Sequence, residues 1–234
     1  MPHFDIETTE GGSVRRILRD GEPYNESVSL EPLFSVVTVY FQAAAANLHL
    51  LDNEATRERR RAYGVQSFVM SLTGVEAFTN TYFRLRANEL SNQRMLERIV
   101  QRHGSLTNKI RELLAMTPQS AIEDQDMILD RVHALSLLRN DLVHPHWEPA
   151  SMTIVGDMPL MIDGLVHNFQ AAFENPAFCR EALMWCVLLV AQIGRSGGSH
   201  DFAGFLFHWT GFYGFTEQVV LTSLGLGAGI APNR

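Results

Sequence analysis

Residues 65–83 read VQSFVMSLTGVEAFTNTYF, and this stretch decides the fold. Within it, residues that suit a buried helix face recur at steps of three and four, as a helical period requires. These positions are Val65, Phe68, Val69, Leu72, Val75, Thr79 and Phe83. We predict a helix from about Thr56 to Ala87. Glu76 and Asn80 lie on or beside the apolar stripe, so both side chains need partners if they are buried.

Shorter helical patterns lie on both sides of this segment. Residues that start or stop helices set their ends, and these are Pro32, Gly104, Pro118, the Ser120–Glu123 capping box, the Asn175–Pro176 pair and Gly194. The predicted spans are Pro32–Leu51, Ser91–His103, Leu106–Met116, Ser120–Val143 and Pro176–Ile193. The chain is therefore predicted to be all-α.

Three other segments depart from this pattern. Residues 1–28 form an N-terminal arm in which two alternating runs flank two glycines, as in a hairpin or a loose arm. Residues 29–195 form the predicted helical bundle. Residues 145–165 interrupt it with a pattern that suits a small hairpin. Residues 196–234 are rich in aromatic side chains and are predicted to be a helical extension packed on the same domain.

Composition favours a soluble, reduced protein. The chain has 234 residues, 46% of them apolar, which is enough to bury a large core without disulfides. Cys179 and Cys186, seven residues apart, would lie about 10 Å apart along a helix, too far for a disulfide. The apolar run 183–193 is too short for a bilayer, and residues 1–28 lack the apolar run of a secretory signal. We predict a cytoplasmic protein without membrane contact.

Charge is unevenly distributed along the chain. The net charge of −7 argues against a general nucleic-acid coat. Residues 57–111 nevertheless carry eleven basic and four acidic side chains, against eight and twenty-two elsewhere. This asymmetry is compatible with a basic face and equally with an ordinary solvated helix surface. Lys109 is the single lysine among nineteen basic residues.

Residues 139–145 read RNDLVHP and carry the chemistry. Arg139 can hold a phosphate through two parallel hydrogen bonds at any physiological pH. Pro145 ends the helix at His144, where the helix dipole favours the protonated imidazole and raises its pKa. Such an imidazole transfers protons near pH 7. A phosphate holder beside a proton carrier is the minimal equipment for cutting RNA without a metal.

Helix geometry limits how this motif can work. Five residues turn a helix by about 500°, so Arg139 and His144 would point about 140° apart. Either the helix end unwinds, or two copies of the motif meet across a dimer. Asn140 and His144 share a face, so Asn140 can orient the imidazole or a phosphate oxygen. A simpler interpretation is that Arg and His only complement the helix dipole and that Asp141 pairs with a nearby arginine.

Residues 138–145, LRNDLVHP, closely resemble the signature of the HEPN superfamily, which is an Arg, four to six residues, then a His. Asn140 matches the polar residue that often follows the Arg, and residues 75–80 resemble the earlier core helix of such domains. The resemblance covers roughly residues 30–190. It implies an up-and-down bundle of four or five helices, usually a homodimer with the Arg and His at the interface.

The resemblance also implies a function. Many members are metal-independent endoribonucleases in toxin–antitoxin, abortive-infection or CRISPR-linked systems. It implies Arg139, His144 and Asn140 as catalytic residues, Glu76 and Asp141 as supporting residues, and no cofactor. RNA, a second copy of the chain and an antitoxin protein would be the partners. The alternative is a non-catalytic module that binds nucleotides, RNA or another protein.

A third interpretation is a metal enzyme. His144 and His146, with or without His133, could share a metal ion, but no carboxylate or cysteine stands at a supporting spacing. Pro145 between the two histidines suits a turn better than a preformed site.

Overall fold

The computed structural model divides the chain into two units, Met1–Pro32 and Leu33–Arg234. It describes residues 4–8, 14–25, 35–101, 104–118, 122, 124–143, 172–199, 201–214 and 217–224. The hairpin predicted in residues 145–165 lies outside these ranges.

The first unit contains a three-stranded antiparallel sheet in the order β1-β2-β3. Its strands are β1 Phe4–Thr8, β2 Val14–Arg19 and β3 Glu22–Pro23. Asp20 and Gly21, with φ of 53° and 88°, make the two-residue turn between β2 and β3. Glu7 faces Arg16 across the first pair and accepts two hydrogen bonds from its guanidinium, at 2.6 and 2.7 Å. Of the two forms that the alternating pattern allowed, the hairpin is present.

The secondary structure described in the second unit is entirely helical, with short connections between the helices. Its helices are α1 Ser35–Asn53, α2 Arg57–Glu89, α3 Gln93–Val100, α4 Leu106–Ala115, α5 Gln125–Val143, α6 Pro176–Ser196, α7 Phe202–Thr210 and α8 Glu217–Ser223. The prediction of an all-α bundle is confirmed, with the small sheet confined to the first unit.

Helix α2 carries the predicted stripe into the core. Five of its seven positions are buried, and Val65 and Val69 pack partly buried against the same core. Helix α1 runs antiparallel to α2 after a three-residue connection. Ser67 donates a hydrogen bond to the Ala44 carbonyl at 2.8 Å, and further along α2 the Phe41 ring packs on Gly74.

Helix α6 runs parallel to α2 on another side. Cys179 donates to the Gly64 carbonyl near the start of both helices, with 3.6 Å between Sγ and O. Near their other ends the Tyr82 hydroxyl lies against Gly197. For two helices to run parallel in one bundle, the chain between them must run back in the opposite direction. Helix α5 runs in that direction.

Helices α4 and α5 run antiparallel to each other. Thr107 contacts His133, and one turn later Arg111 pairs with Asp130 at 2.9 Å. Helix α5 is also antiparallel to α2. Asn92, just after the end of α2, donates to the carbonyl of Met116, which precedes α5, while Glu76 in the middle of α2 pairs with Arg139 near the end of α5. The order α1, α2, α5, α6 therefore alternates in direction, as in an up-and-down bundle.

The start of α5 and the end of α3 differ from the predictions by several residues. Helix α5 begins at Gln125 and not at Ser120, because Asp124 has φ of 53°, which no right-handed helix contains. The predicted capping box, Ser120 with Glu123, lies outside the described residues. Helix α3 ends at Val100, three residues before the predicted end at His103.

Gly194 was predicted to end α6 but lies inside it. A methyl group at this position would come within 2.4 Å of the Phe205 ring, so the glycine serves the close approach of α7. Gly197 caps the helix instead. The predicted start is confirmed, since the Asn175 side chain accepts a hydrogen bond from the Ala177 amide at 3.0 Å.

The described part of the C-terminal extension packs on the bundle as predicted. The Trp209 ring of α7 meets Phe78 of α2 edge to face, with 5.0 Å between ring centroids. Leu206 is fully buried, and Thr38 of α1 donates to the carbonyls of His208 and Trp209. Aromatic packing therefore accounts for much of the tail's composition.

Helix α6 combines length with an apolar sequence. It is long and apolar enough to cross a membrane, but 78% of its most apolar window is buried in the protein. Such burial is typical of a core helix and is consistent with a soluble protein. Cys179 and Cys186 lie unpaired within it, and burial raises the pKa of the Cys179 thiol to about 12. Neither thiol is suited to nucleophilic chemistry.

The approach of α2 to residue 173 predicts an unusual response to alanine. Ala normally stabilises a helix interior by about 1 kcal/mol relative to Gly. At Gly64 the added Cβ would lie 1.8 Å from the Phe173 carbonyl oxygen, so Gly64→Ala should destabilise the fold by about 1–3 kcal/mol. Urea unfolding followed by circular dichroism measures the change.

Gly74→Ala is the matched control for Gly64→Ala. There the new Cβ would meet the edge of the Phe41 side chain at 3.0 Å, and a ring can shift more easily than backbone. The loss should therefore be clearly smaller. Equal stabilities for wild type and Gly64→Ala would contradict the packing of α2 described above.

Candidate functional site

A polar cleft of about 500 Å³ lies where α2, α4 and α5 meet the connection between α3 and α4. This volume is within the range of small-ligand sites. Its polar lining includes Glu76, Asn80, Lys109, His133, Arg139 and Asn140. With Gln101, the cleft therefore combines one carboxylate, two cations, an imidazole and three amides.

Arg139 is held at this cleft by a carboxylate from α2. Its Nη1 donates to Glu76 Oε2 at 3.1 Å, and its Nη2 approaches Asn140 Oδ1 at 3.4 Å. The side chains of Arg139 and Glu76 are 27% and 49% exposed, so this ion pair contributes at most about 1 kcal/mol. The main effect of the pair is to orient the guanidinium.

The structure brings together three of the five predicted site residues. Arg139, Asn140 and Glu76 all line the cleft. Asp141 is exposed and does not line it. His144 lies outside the described residues, and α5 is described as a regular helix up to Val143, the residue before it.

Lys109 is the site residue that the sequence did not reveal. Its Nζ donates to Asn80 Oδ1 at 2.8 Å and to the Ile99 carbonyl. Burial lowers the pKa of the ammonium, repulsion from Arg98 lowers it further, and the Glu76 carboxylate acts in the opposite direction. The available signals were its being the sole lysine and the need of Asn80 for a partner, but no local motif joined the two.

Arg98 adds positive charge close to Lys109. Only 9% of its side chain is exposed, and its Nε donates to the Glu112 carboxylate. Its Nη1 is buried and has no hydrogen-bond partner among the described residues. The guanidinium lies close enough to Lys109 to lower the pKa of the ammonium by repulsion.

His133 contributes an imidazole to the cleft wall. Its Nδ1 lies 3.2 Å from Thr107 Oγ1, which fixes the ring against α4. Within the described ranges, no group of three His, Cys, Asp or Glu side chains could hold a metal ion. The metal interpretation also needs His144 and His146, which lie outside those ranges.

The basic segment 57–111 does not form a free basic face. Many of its cations pair with carboxylates from outside the segment. These pairs are Arg57–Glu174, Arg61–Glu174, Arg59–Glu54, Arg98–Glu112 and Arg111–Asp130. The local charge excess is thus largely compensated within the fold, and the cleft is the more specific place for an anion.

No protein-family model, curated protein or solved structure matches the chain. The resemblance to the HEPN superfamily therefore stays a prediction.

The lowered pKa of Lys109 predicts a pH-dependent stability. The ammonium loses its proton more readily in the folded chain than in the unfolded chain, where its pKa is about 10.5. Stability therefore rises with pH between the folded and the unfolded pKa. Relative to Lys109→Met, wild type should gain stability as pH rises toward 10.5, measured by urea unfolding at several pH values.

Arg111→Met is the control, because it removes a cation two residues away that pairs with Asp130 at the surface. A guanidinium keeps its proton over this range, so the difference from wild type should stay flat. A flat difference for Lys109→Met as well would show that Lys109 has the same proton affinity in both states.

Proposed function

We propose that the chain is a metal-independent endoribonuclease of the HEPN type. One observation carries the proposal: the Glu76 carboxylate orients Arg139 at a polar cleft, with Asn140 beside it. Arg139 and Asn140 stand on the last turns of α5, which is described up to Val143, the residue before His144.

The reaction is an internal transfer at one phosphate. The ribose 2′-oxygen attacks the adjacent phosphorus as its proton leaves, and the bond from phosphorus to the 5′-oxygen breaks. The leaving 5′-oxygen takes up a proton. The products are a 2′,3′-cyclic phosphate and a 5′-hydroxyl. Water is not a reactant in this step. His144 transfers the protons, a role that contributes about 10²- to 10⁴-fold.

Arg139 stabilises the charge that grows on the phosphate oxygens during attack. A planar guanidinium offers five N–H donors, and the contacts with Glu76 and Asn140 use only two of them. Glu76 holds the guanidinium in place before RNA binds, so little reorganisation is needed. Asn140 positions a phosphate oxygen or the imidazole.

A second copy of the chain completes the site in this proposal. Arg139 lies on a regular helix that is described to Val143. On such a helix, side chains five residues apart point about 140° apart. Two helix ends facing each other across a twofold axis would bring Arg139 of one subunit to His144 of the other. An antitoxin would cover the same groove.

Cleavage of RNA in the presence of EDTA tests the proposal. Wild type should cut a single-stranded RNA and leave cyclic phosphate ends. Arg139→Ala and His144→Ala should each slow cleavage by about 10²-fold or more. An RNA with 2′-O-methyl groups should resist, because it lacks the attacking hydroxyl.

Arg131→Ala is the matched control, since Arg131 is on the same helix but lies over the Trp185 ring, 6.0 Å from its centroid. It should cut like wild type. Binding of RNA without cleavage would instead support the non-catalytic module. Cleavage that survives equally in Arg139→Ala and His144→Ala would exclude the proposed chemistry.

Mixing two inactive variants tests the shared site. If Arg139 and His144 act from different subunits, mixed dimers of Arg139→Ala with His144→Ala contain one intact pair. Activity should then return after subunit exchange by mild denaturation and refolding. Activity that does not return, with mixed dimers shown by native mass spectrometry, would place both residues in one subunit.

A further inference from the structure

Successive turns of one helix hold the two cations of the cleft. Glu76 of α2 pairs with Arg139, and Asn80, four residues later on the same face, accepts the hydrogen bond of Lys109. Four residues of helix advance by about 6 Å. The two side chains that hold the guanidinium and the ammonium are therefore about one helical turn apart on α2.

Unused hydrogen-bond donors remain at the Lys109 end. An ammonium has three N–H groups, and the described residues accept only two from Lys109. Asn80 uses its oxygen on Lys109, which leaves its amide N–H groups unengaged within the same residues. His133 engages Nδ1 with Thr107, and no contact of its Nε2 is found among the described residues. Lys109 and Asn80 thus offer donors to one acceptor-rich ligand, and His133 adds a third donor when its Nε2 carries a proton.

The charges near these donors favour an anion. Arg98 stands close enough to Lys109 to lower the pKa of the ammonium by repulsion, and the buried Nη1 of Arg98 has no partner within the described ranges. The only carboxylate among the residues that line the cleft is Glu76, which is committed to Arg139. An anion bound at Lys109 would relieve the repulsion between two cations that are partly or wholly removed from water.

We propose that Lys109, with Asn80 and His133, forms a second phosphate subsite that holds the phosphate next to the one held at Arg139. The inference rests on the proposed ribonuclease function and deepens it. The substrate is then a single RNA strand that lies along α2, with consecutive phosphates at Arg139 and Lys109. A single strand fits better than a duplex, whose backbone cannot fold into a cleft of about 500 Å³.

Three dinucleotides test this subsite, each with the base sequence found at the cut site of a long RNA. One has no terminal phosphate, one has a 5′-phosphate and one has a 3′-phosphate. Wild type should prefer one of the two phosphorylated forms over the plain form by about tenfold in kcat/KM. Lys109→Gln should reduce this ratio to near one.

Asn80→Asp is the second variant, and it keeps the lysine. Its carboxylate would neutralise the ammonium and repel a phosphate, so it should also abolish the preference. Arg111→Gln is the control, because it removes the same charge from α4 outside the cleft, and it should keep the wild-type ratio. Circular dichroism shows that each variant is folded.

Salt dependence supplies an independent readout on a longer strand. The logarithm of the binding constant falls as the logarithm of the salt concentration rises. Loss of one phosphate contact makes this fall less steep by about 0.7 for single strands. We expect this decrease for Lys109→Gln and no change for Arg111→Gln. A role of Lys109 in folding alone would leave the slope unchanged.

The outcomes separate the two proposals. Cleavage without any preference for a terminal phosphate, or with a preference that survives in both cleft variants, would overturn the subsite and leave the ribonuclease intact. If no RNA is cut, the subsite is tested by binding alone. Calorimetry then compares mixed pools of 2′-O-methyl dinucleotides with and without terminal phosphates. Tighter binding of a phosphorylated pool that requires Lys109 would support the subsite, and equal binding would overturn it.

Discussion

Burial of α2 on several sides is the constraint on which the rest of the structure depends. Its 33 residues contact α1, α6 and the helices that form the cleft. Large side chains such as Phe68, Phe78 and Phe83 are fully buried, and each stabilises the fold by roughly 1.5–3 kcal/mol. Glycines at 64 and 74 allow neighbours to approach where a larger residue would collide. A helix packed in this way has little freedom to rotate or slide.

That rigidity gives the cleft its geometry. Glu76 and Asn80 stand at the edge of the same buried helix, so their positions are fixed by the core behind them. Each selects a basic partner from a different helix, Arg139 from α5 and Lys109 from α4. The polar site is therefore built as a consequence of core packing, with α2 as the common reference.

The sequence predicted the parts of this arrangement that depend on local patterns. The period of three and four in residues 65–83 predicted α2, and Asn175 predicted the start of α6. The motif at Arg139 and Asn140, together with Glu76, predicted half of the cleft. The prediction that Gly194 ends α6 was wrong. The sequence alone does not distinguish a glycine that ends a helix from one that lets a neighbouring ring approach.

Lys109 shows why the other half could not be predicted. It is separated from Asn80 by 29 positions, and only the packing of α4 on α2 brings the two together. The pairing of segment 57–111 with Glu174 and Asp130 was hidden for the same reason. Charge counts along a sequence are insensitive to partners that arrive from distant helices.

Helix α6 has a consequence for how the chain is made. Its apolar surface is covered in the finished protein chiefly by α2. Ribosomes add residues from the N-terminus at about 5–20 per second. The whole of α2 is therefore synthesised several seconds before α6. Until then, the apolar side of α2 that α6 covers in the finished protein lacks this partner. During that interval the nascent chain exposes apolar surface that chaperones and other polypeptides can bind. Helix α6 completes the core only late in translation.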